Sequence, residues 1–576
     1  MLFSKAVRLR LTKINFKDFS TCKETWTPSG TTPIQYNLKD FTVQNEPTFS
    51  YEVGSKERRV LESTIKRCQK ECEEIPIIIG GKEFKSDRAV YQSSPFNHKS
   101  KIAKFYHATP ELVWQAIVAA KEARIKWEKV PFEERFKIWL KAADLISGPW
   151  RQKLNGATML GQGKTVIQCE IDSAAELADF LRFNALYARE MLKWQPISEN
   201  PSIIKNSMRL RGLEGFVAAV SPFNFTAIGG NLAYTPALMG CAVIWKPSDT
   251  AVLASWRIFQ VMKEAGLPDG VVNFIPCDGP VFGDSITVCP HLACINFTGS
   301  VATFNALWKR VAEKLTLYRN YPRLVGECGG KNFHFIHPSA NLENAVNCTI
   351  RSAFEYSGQK CSACSRLYVP QSLWGKFKEG LVERMKEIKI GDPTDFSVFS
   401  SAVIDEKAYD RIVGYIGHAK RNLKILHGGN HCQKEGWYIY PTLVQTTDPA
   451  DKIMREEVFG PVLTAFVYPD DELENVLKLV DETTPFALTG SVFAEDEAFL
   501  EGAKETFKYS AGNYYVNDRS TGAVVGQQPF GGARHSGTND KAGAPGYLHK
   551  FVSPQTVKQC FIPLKEWKYS YMELNK

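Results

Sequence analysis

An α/β fold with parallel sheets is the architecture this sequence predicts, and three observations predict it. The chain has 576 residues, 44% of them hydrophobic and 23% charged, enough for about three or four ordinary domains with well-buried cores. From about residue 215, short apolar runs alternate with amphipathic helical stretches, and a second alternation of the same kind follows Glu327. Apolar runs joined by helices mark βαβ units, whose strands are covered on both faces.

Residues 1–17, MLFSKAVRLRLTKINFK, hold Lys5, Arg8, Arg10, Lys13 and Lys17 and no acid. Leu2, Ala6, Leu9 and Lys13 share a helical face, the pattern of a mitochondrial transit peptide, expected over 1–25. A solvated basic tail is the other reading. A polar, proline-rich stretch then runs to about residue 55 and gives way to helical periodicity. Thr109 caps a helix that opens with Pro110 and Glu111 and aligns Leu112, Val113, Ala116 and Ala120. Pro131 opens another, with Phe136, Leu140 and Ala143. These helices are expected to precede the main sheet. Its strands are read in GFVAAV, CAVIWKP, VVNFIP and CINFTG, with helices in NLAYTPALMG, VLASWRIFQVMKEAG and VATFNALWKRVAEKL. That alternation is of the nucleotide-binding type. The second α/β domain, about 330–535, begins with the strand KNFHFIHP. A helix near 342–354, the strand SRLYVP and a helix near 374–388 follow. No repeat of 20 to 50 residues is visible.

The net charge of +9 raises the question of a polyanionic partner. Five of those charges belong to residues 1–17, and the remaining +4 on a body this large calls for no nucleic acid. No apolar run approaches the roughly 18 residues of a membrane span. Fourteen cysteines are too sparse for a disulfide scaffold, and most, such as Cys241 and Cys294, sit in strand-like apolar runs as small hydrophobes. Cys361 and Cys364 form a lone C-x-x-C with no second pair at ligand spacing, and His334 and His337 are likewise unaccompanied. No metal is expected.

Four places carry candidate chemistry. Phe297-Thr298-Gly299-Ser300 closes a strand and opens a helix, which suits either a pyrophosphate on backbone N–H groups or an ordinary N-cap. Lys246 and Asp249, in Trp245-Lys246-Pro247-Ser248-Asp249, follow the carboxyl end of a strand, where ligands of open α/β sheets bind. Lys246 is either a ribose donor or a solvated loop lysine. Cys361 lies in a loop of small residues beside Lys360, a polar and partly electropositive setting that suits a thiolate nucleophile. Glu327, before Cys328-Gly329-Gly330, is either a general base or a solvated turn carboxylate.

These fragments recur in order with SPFNF at 221–225, KPSD at 246–249, GLPDGVVN at 266–273, FTGS at 297–300 and GECGGKN at 326–332. GQKCSA at 358–363, EEVFGPV at 456–462 and PFGGARHSG at 529–537 complete the set. With them the chain, from about residue 80 to 560, resembles the aldehyde dehydrogenase superfamily. FEYSGQKCSACSRLYVP at 354–370 and RSTGAVVGQQPFGG at 519–532 look like the branch that oxidises L-glutamate γ-semialdehyde to glutamate. Many members of the wider superfamily carry glycine four residues past Ser300; this chain has Phe304.

The resemblance implies a Rossmann-type cofactor domain over 40–189 and 214–328, a catalytic domain over 329–540, and a small β oligomerisation element from 190–213 and 549–563. It implies Cys361 as nucleophile, Asn224 and the Cys361 N–H as oxyanion donors, and Glu327 as the base that hydrolyses a thioester. Lys246, Ser248 and Asp249 are then expected near the adenosine ribose, Gly299 and Ser300 near the pyrophosphate, and Glu457 and Phe459 near the nicotinamide riboside. For the substrate, Ser362, Gly522 and Ala523 are expected to grip the α-carboxylate, and Phe225 and Phe530 to flank the aliphatic chain. Position 523 is serine in some members of the branch. NAD is the expected cofactor, since Asp249 repels a 2′-phosphate even though Lys246 and Ser248 would accept one. A small-molecule substrate and a homodimer or higher homo-oligomer complete the reading. Its rivals are a dehydrogenase for another carboxylated or aliphatic aldehyde, a Cys-dependent hydrolase, and a retired structural or RNA-binding relative.

Overall fold

The computed structural model describes residue 38 and residues 40–572; the predicted transit peptide, 1–25, lies outside them. The first seven-stranded sheet has the order Arg323–Glu327, Leu292–Thr298, Phe216–Val220, Ala242–Lys246, Val272–Phe274, Ile77–Ile79, Lys82–Phe84. Its first five strands are parallel, and the last two pair antiparallel. The chain runs outward from Phe216–Val220 to one side, then returns to its other side with Leu292–Thr298. The strand order therefore reverses between those two strands, and in open α/β sheets the ligand crevice lies at the carboxyl ends beside such a reversal. Asn224 follows one of these strands and Gly299 the other.

The second seven-stranded sheet has the order Lys424–His427, Thr442–Thr446, Val462–Tyr468, Cys364–Pro370, Asn332–Ile336, Thr489–Phe493, Asn513–Val516, all parallel except the first pair. Every residue of Asn332–Ile336 is buried, as a strand with both faces covered requires. Glu327 ends a strand of the first sheet, and Cys361 stands just before a strand of the second. The site therefore forms where the two sheets meet.

The predicted helices at 110 and 131 form as Pro110–Trp127 and Phe132–Ser147. Thr109 accepts from the Leu112 N–H at the first N-cap, whereas Pro131 caps the second without a side-chain bond. The expectation that these helices precede the main sheet is corrected, since two of its strands come before them. Glu73–Ile75, Asn97–Tyr106 and Ala89–Ser94 make a three-stranded sheet, and Ile77–Ile79 with Lys82–Phe84 extends the main sheet's edge. Gly80 and Gly81 have φ of 57° and 80°, a two-residue hairpin turn that legible Gly-Gly spacing could have announced.

Ile204–Gly212 pairs antiparallel with Val552–Cys560 over nine residue pairs. Beyond Ser553 the second strand is exposed throughout, so the two form a ribbon standing away from the body.

Candidate active site

Cys361 is delivered by a short left-handed reversal. Helix Leu342–Phe354 ends, and Tyr356, Ser357 and Gly358 take φ of 52°, 52° and 67° in succession. For the two non-glycine residues this conformation costs on the order of 1–3 kcal/mol each, which surrounding bonds must offset. They are present: the Ser357 N–H donates to Ser400 Oγ (2.7 Å), and Gln359 Oε1 accepts from the Ile404 N–H (2.8 Å). Gly358 is obligatory, since a Cβ there would stand 2.3 Å from the Gly460 carbonyl. Asn332 fixes the far side of the loop, its Nδ2 donating to the carbonyls of Cys361 (2.6 Å) and Ala363 (2.9 Å). Asn224 Nδ2 donates to the Gln359 carbonyl at 3.1 Å, which uses one of its two N–H groups and holds the amide beside the cysteine loop.

The electropositive setting expected for Cys361 is overturned. Lys360 turns its ammonium to Glu355 Oε2 at 2.8 Å. The thiol is buried, and burial pushes its pKa up, with Glu327 and Glu457 adding to the rise. The cation adjacent in sequence is spent on a carboxylate, so sequence adjacency misled. Burial thus favours the neutral thiol.

Glu327 is no solvated turn. Its Oε1 is buried with no hydrogen-bond partner, and burial pushes its pKa well up. Main-chain bonds hold it on both sides: its carbonyl accepts from Gly299 N–H (3.1 Å) and the Cys328 N–H donates to Ser536 (2.9 Å). The Gly329-Gly330 pair makes room for a second carboxyl. Glu457 Oε1 accepts from the Gly330 N–H (2.8 Å), and a Cβ on Gly329 would stand 2.4 Å from Glu457 Oε2. Burial raises the Glu457 pKa to about 7.

The remaining predicted cofactor residues gather at the carboxyl ends of the first sheet. Lys246 Nζ donates to the Pro247 carbonyl (3.3 Å), and Ser248 Oγ bonds Thr250 Oγ1 (3.2 Å). Asp249 Oδ2 meets His107 Nε2 at 2.9 Å, while its Oδ1 is buried without a partner. Ser300 caps helix Val301–Ala312 through its hydroxyl, so the helix's first N–H groups face out from the strand end. Phe459, at φ 53°, sets its ring edge-on to Phe223 at 5.9 Å. Phe304 stacks on Phe297 (5.4 Å) beneath Gly326, where a Cβ would meet its ring at 2.3 Å.

A cavity of about 1130 Å³, counting its open mouth, joins Cys361 and Glu327 to Phe225, Ser362, Gly522, Ala523 and Phe530. All five predicted substrate residues thus line one space with the thiol. Gly522 has φ 89°, and a Cβ there would stand 3.0 Å from an Arg519 guanidinium nitrogen. Arg519 Nη1 meets Glu355 Oε1 at 3.3 Å, so Glu355 is shared between Arg519 and Lys360 at the cavity wall. Sequence reading missed Asp172 and Glu176 in this wall. They lie in a π-helical turn, Glu170–Glu176, inserted between helices, with Asp172 paired to the buried Lys164 at 2.7 Å. Two carboxyls at i and i+4 on a core-facing helix were the available signal. Cys364 is buried and bonds the Arg366 carbonyl. His334 is buried between Thr349 and Ser520, and half-buried His337 bonds Ser339. Among the described residues no group of three or more His, Cys, Asp and Glu side chains is placed to hold a metal, and no helix is long and apolar enough to cross a membrane.

The aldehyde dehydrogenase family profile matches residues 83–557. The chain belongs to the aldehyde dehydrogenase family. Within that family it is 55% identical over 533 residues to the mitochondrial delta-1-pyrroline-5-carboxylate dehydrogenase of Danio rerio, covering 92% of this chain and 96% of that one. It is 54% identical over 534 residues to the Homo sapiens protein of the same name, covering 92% and 94%. Among solved aldehyde dehydrogenases, the delta-pyrroline-5-carboxylate dehydrogenase of Mycobacterium tuberculosis bound with NAD superposes with a TM-score of 0.89 at 41% identity, covering 95% of this chain and all of the other.

Proposed function

We propose that this aldehyde dehydrogenase oxidises L-glutamate γ-semialdehyde, the open form of Δ1-pyrroline-5-carboxylate, to L-glutamate with NAD in proline catabolism. The observation that carries the reading is the single cavity holding the Cys361 thiol and the Glu327 carboxyl together with the Gly522-Ala523 loop and Arg519. The names of its relatives agree with it. They also support work in the mitochondrial matrix, with residues 1–25 as the address.

The residues present fit a dinucleotide. The strand-order reversal supplies a crevice, the helix behind Ser300 begins there, and the unpartnered Asp249 Oδ1 suits a ribose hydroxyl. Lys246, Ser248 and Asp249 would hold the adenosine ribose, Gly299 and Ser300 the pyrophosphate, and Glu457 and Phe459 the nicotinamide riboside. The chemistry NAD supplies when bound is acceptance of a hydride.

The chain's own residues do the rest. The α-carboxylate is held by backbone N–H groups of Gly522 and Ala523 with Ser362, donors fixed in direction, while Phe225 and Phe530 flank the aliphatic chain. Cys361 Sγ bonds to the aldehyde carbon as its proton leaves to solvent through the open mouth of the cavity. The oxyanion of the thiohemiacetal takes hydrogen bonds from the free Asn224 N–H and the Cys361 backbone N–H. Oxidation leaves a thioester on Cys361. Glu327 then takes a proton from water, whose oxygen attacks the thioester carbon; the C–S bond breaks, releasing glutamate and the thiol.

Cofactor contacts are assigned to 40–189 and 214–328, catalysis to 329–540, and oligomer contacts to 190–213 with 549–563, where the exposed ribbon suits a homodimer. The test is kinetic. Purified protein given pyrroline-5-carboxylate and NAD is expected to form NADH and glutamate in equal amounts. Turnover of simple aldehydes with none of this substrate overturns the reading. Cys361→Ala is expected to abolish turnover, and Glu327→Gln to keep a burst of about one NADH per site with slow turnover after it.

A further inference from the structure

Lys541 stands beside Glu327 with its ammonium tied to no carboxylate in the structure's bonds. Its Nζ donates to the carbonyls of Gly512 (2.6 Å) and Gly531 (2.8 Å) and to Asn513 Oδ1 (3.2 Å). Its backbone is pinned at φ 56°, a conformation an L-residue holds only where its neighbours require it. Both residues line the same cavity. Gly531 lies between them: the point where its Cβ would stand is 3.2 Å from Lys541 N and 3.4 Å from Glu327 Oε2.

We propose that Lys541 is a positioning residue for the hydrolytic half of the reaction, its fixed ammonium holding Glu327 in the ionised form that accepts a proton from water. The proposal rests on the base role assigned to Glu327. Three neutral acceptors satisfy the ammonium's three protons without discharging its field, so that field is left for the nearby carboxyl. The coupling runs both ways: Lys541 opposes the rise that burial imposes on Glu327, and Glu327 opposes the fall that burial imposes on Lys541.

The other titratable groups facing Glu327 act against ionisation or are already committed. Cys361 and Cys328 are buried thiols held neutral. Tyr547 donates its hydroxyl to Asn296 Oδ1 at 3.0 Å. Two further carboxyls stand nearby: Asp540 is engaged by Lys550 at 2.8 Å and by the Thr538 hydroxyl at 2.5 Å, and Glu457 accepts from the Gly330 N–H at 2.8 Å. Lys541 is the one group that favours the Glu327 carboxylate by charge.

Lys541→Gln tests this, because a glutamine amide still donates to the carbonyls while the charge is gone. The acid limb of the steady-state kcat profile is expected to move alkaline by about one pH unit, a roughly tenfold loss of turnover on that limb. The NADH burst should persist, since it precedes hydrolysis. Lys541→Arg, keeping the charge, is expected to restore the original midpoint. A uniform loss at all pH values with an unmoved midpoint overturns the proposal, as does an equal shift in the arginine variant. If Lys541→Gln does not fold, Lys541→Met carries the same comparison. Glu327→Gln separates the two readings. If it shows burst without turnover while the lysine variants leave the midpoint unmoved, the inference about Lys541 fails alone; if it turns over normally, the base role falls and this inference with it.

Discussion

Glu457 illustrates how burial at a single residue sets a pH dependence. Its carboxyl is pushed from an ordinary value to about 7 by desolvation, although the Gly330 N–H donates to it. In the proposed role it accepts from the nicotinamide ribose, and only the carboxylate accepts well at both oxygens. Binding NAD then favours loss of a proton, so affinity is expected to rise as pH increases through about 7. Calorimetric titration of NAD at pH 6 and pH 8 checks this, with proton release near pH 7 read from two buffers of different ionisation enthalpy. In Glu457→Gln the pH dependence should vanish; an affinity independent of pH in the unaltered protein counts against the role.

The same residue scale shows what the sequence disclosed and what it withheld. Cys361, Glu327 and Asn224 were legible because their motifs fix residue type at fixed spacing. The direction of Lys360 was not, since its partner Glu355 closes a left-handed turn that no propensity announces. Asp172, Glu176 and Asn332 were hidden for another reason. The role of Asp172 comes from bonds to the Thr226 and Ala227 N–H groups and that of Asn332 from bonds to the cysteine loop, contacts that local sequence does not announce.

Among the elements, the turn at Tyr356, Ser357 and Gly358 is the one on which the nucleophile's position depends. Gly358→Ala would place a methyl group 2.3 Å from the Gly460 carbonyl at a φ of 67°. Strain of about 1–3 kcal/mol is expected from the backbone alone, with more from the contact. Urea denaturation should register the loss, and kcat should fall further than KM rises, because the cysteine moves while the carboxylate loop stays. A variant as stable and as fast as the parent would show that the turn relaxes freely.

Strands and helices after residue 215 were readable from their period, since buried parallel strands are continuous apolar runs. The hairpin Ile77–Phe84 escaped because its strands are three residues long, too short for a period to show. Its Gly-Gly turn was the better signal.

For the whole molecule, the ribbon is the feature that suits a second copy of the chain. Val557 and Phe561 are 40% and 49% exposed, so charging them leaves the monomer's packing intact. Val557→Glu with Phe561→Glu is expected to lower the sedimentation coefficient toward that of a 64.7 kDa monomer while the far-ultraviolet circular dichroism stays unchanged. An unaltered coefficient would count against the ribbon as a contact between copies.

The neutral, buried thiol of Cys361 carries a last consequence, for chemical damage. Oxidants and alkylating agents attack thiolates, and they need access. Cys72, Cys432 and Cys560 are exposed, so a reagent in limited amount is consumed at those surface positions while the nucleophile is idle. Burial and a raised pKa thus disfavour attack on Cys361 relative to the exposed thiols.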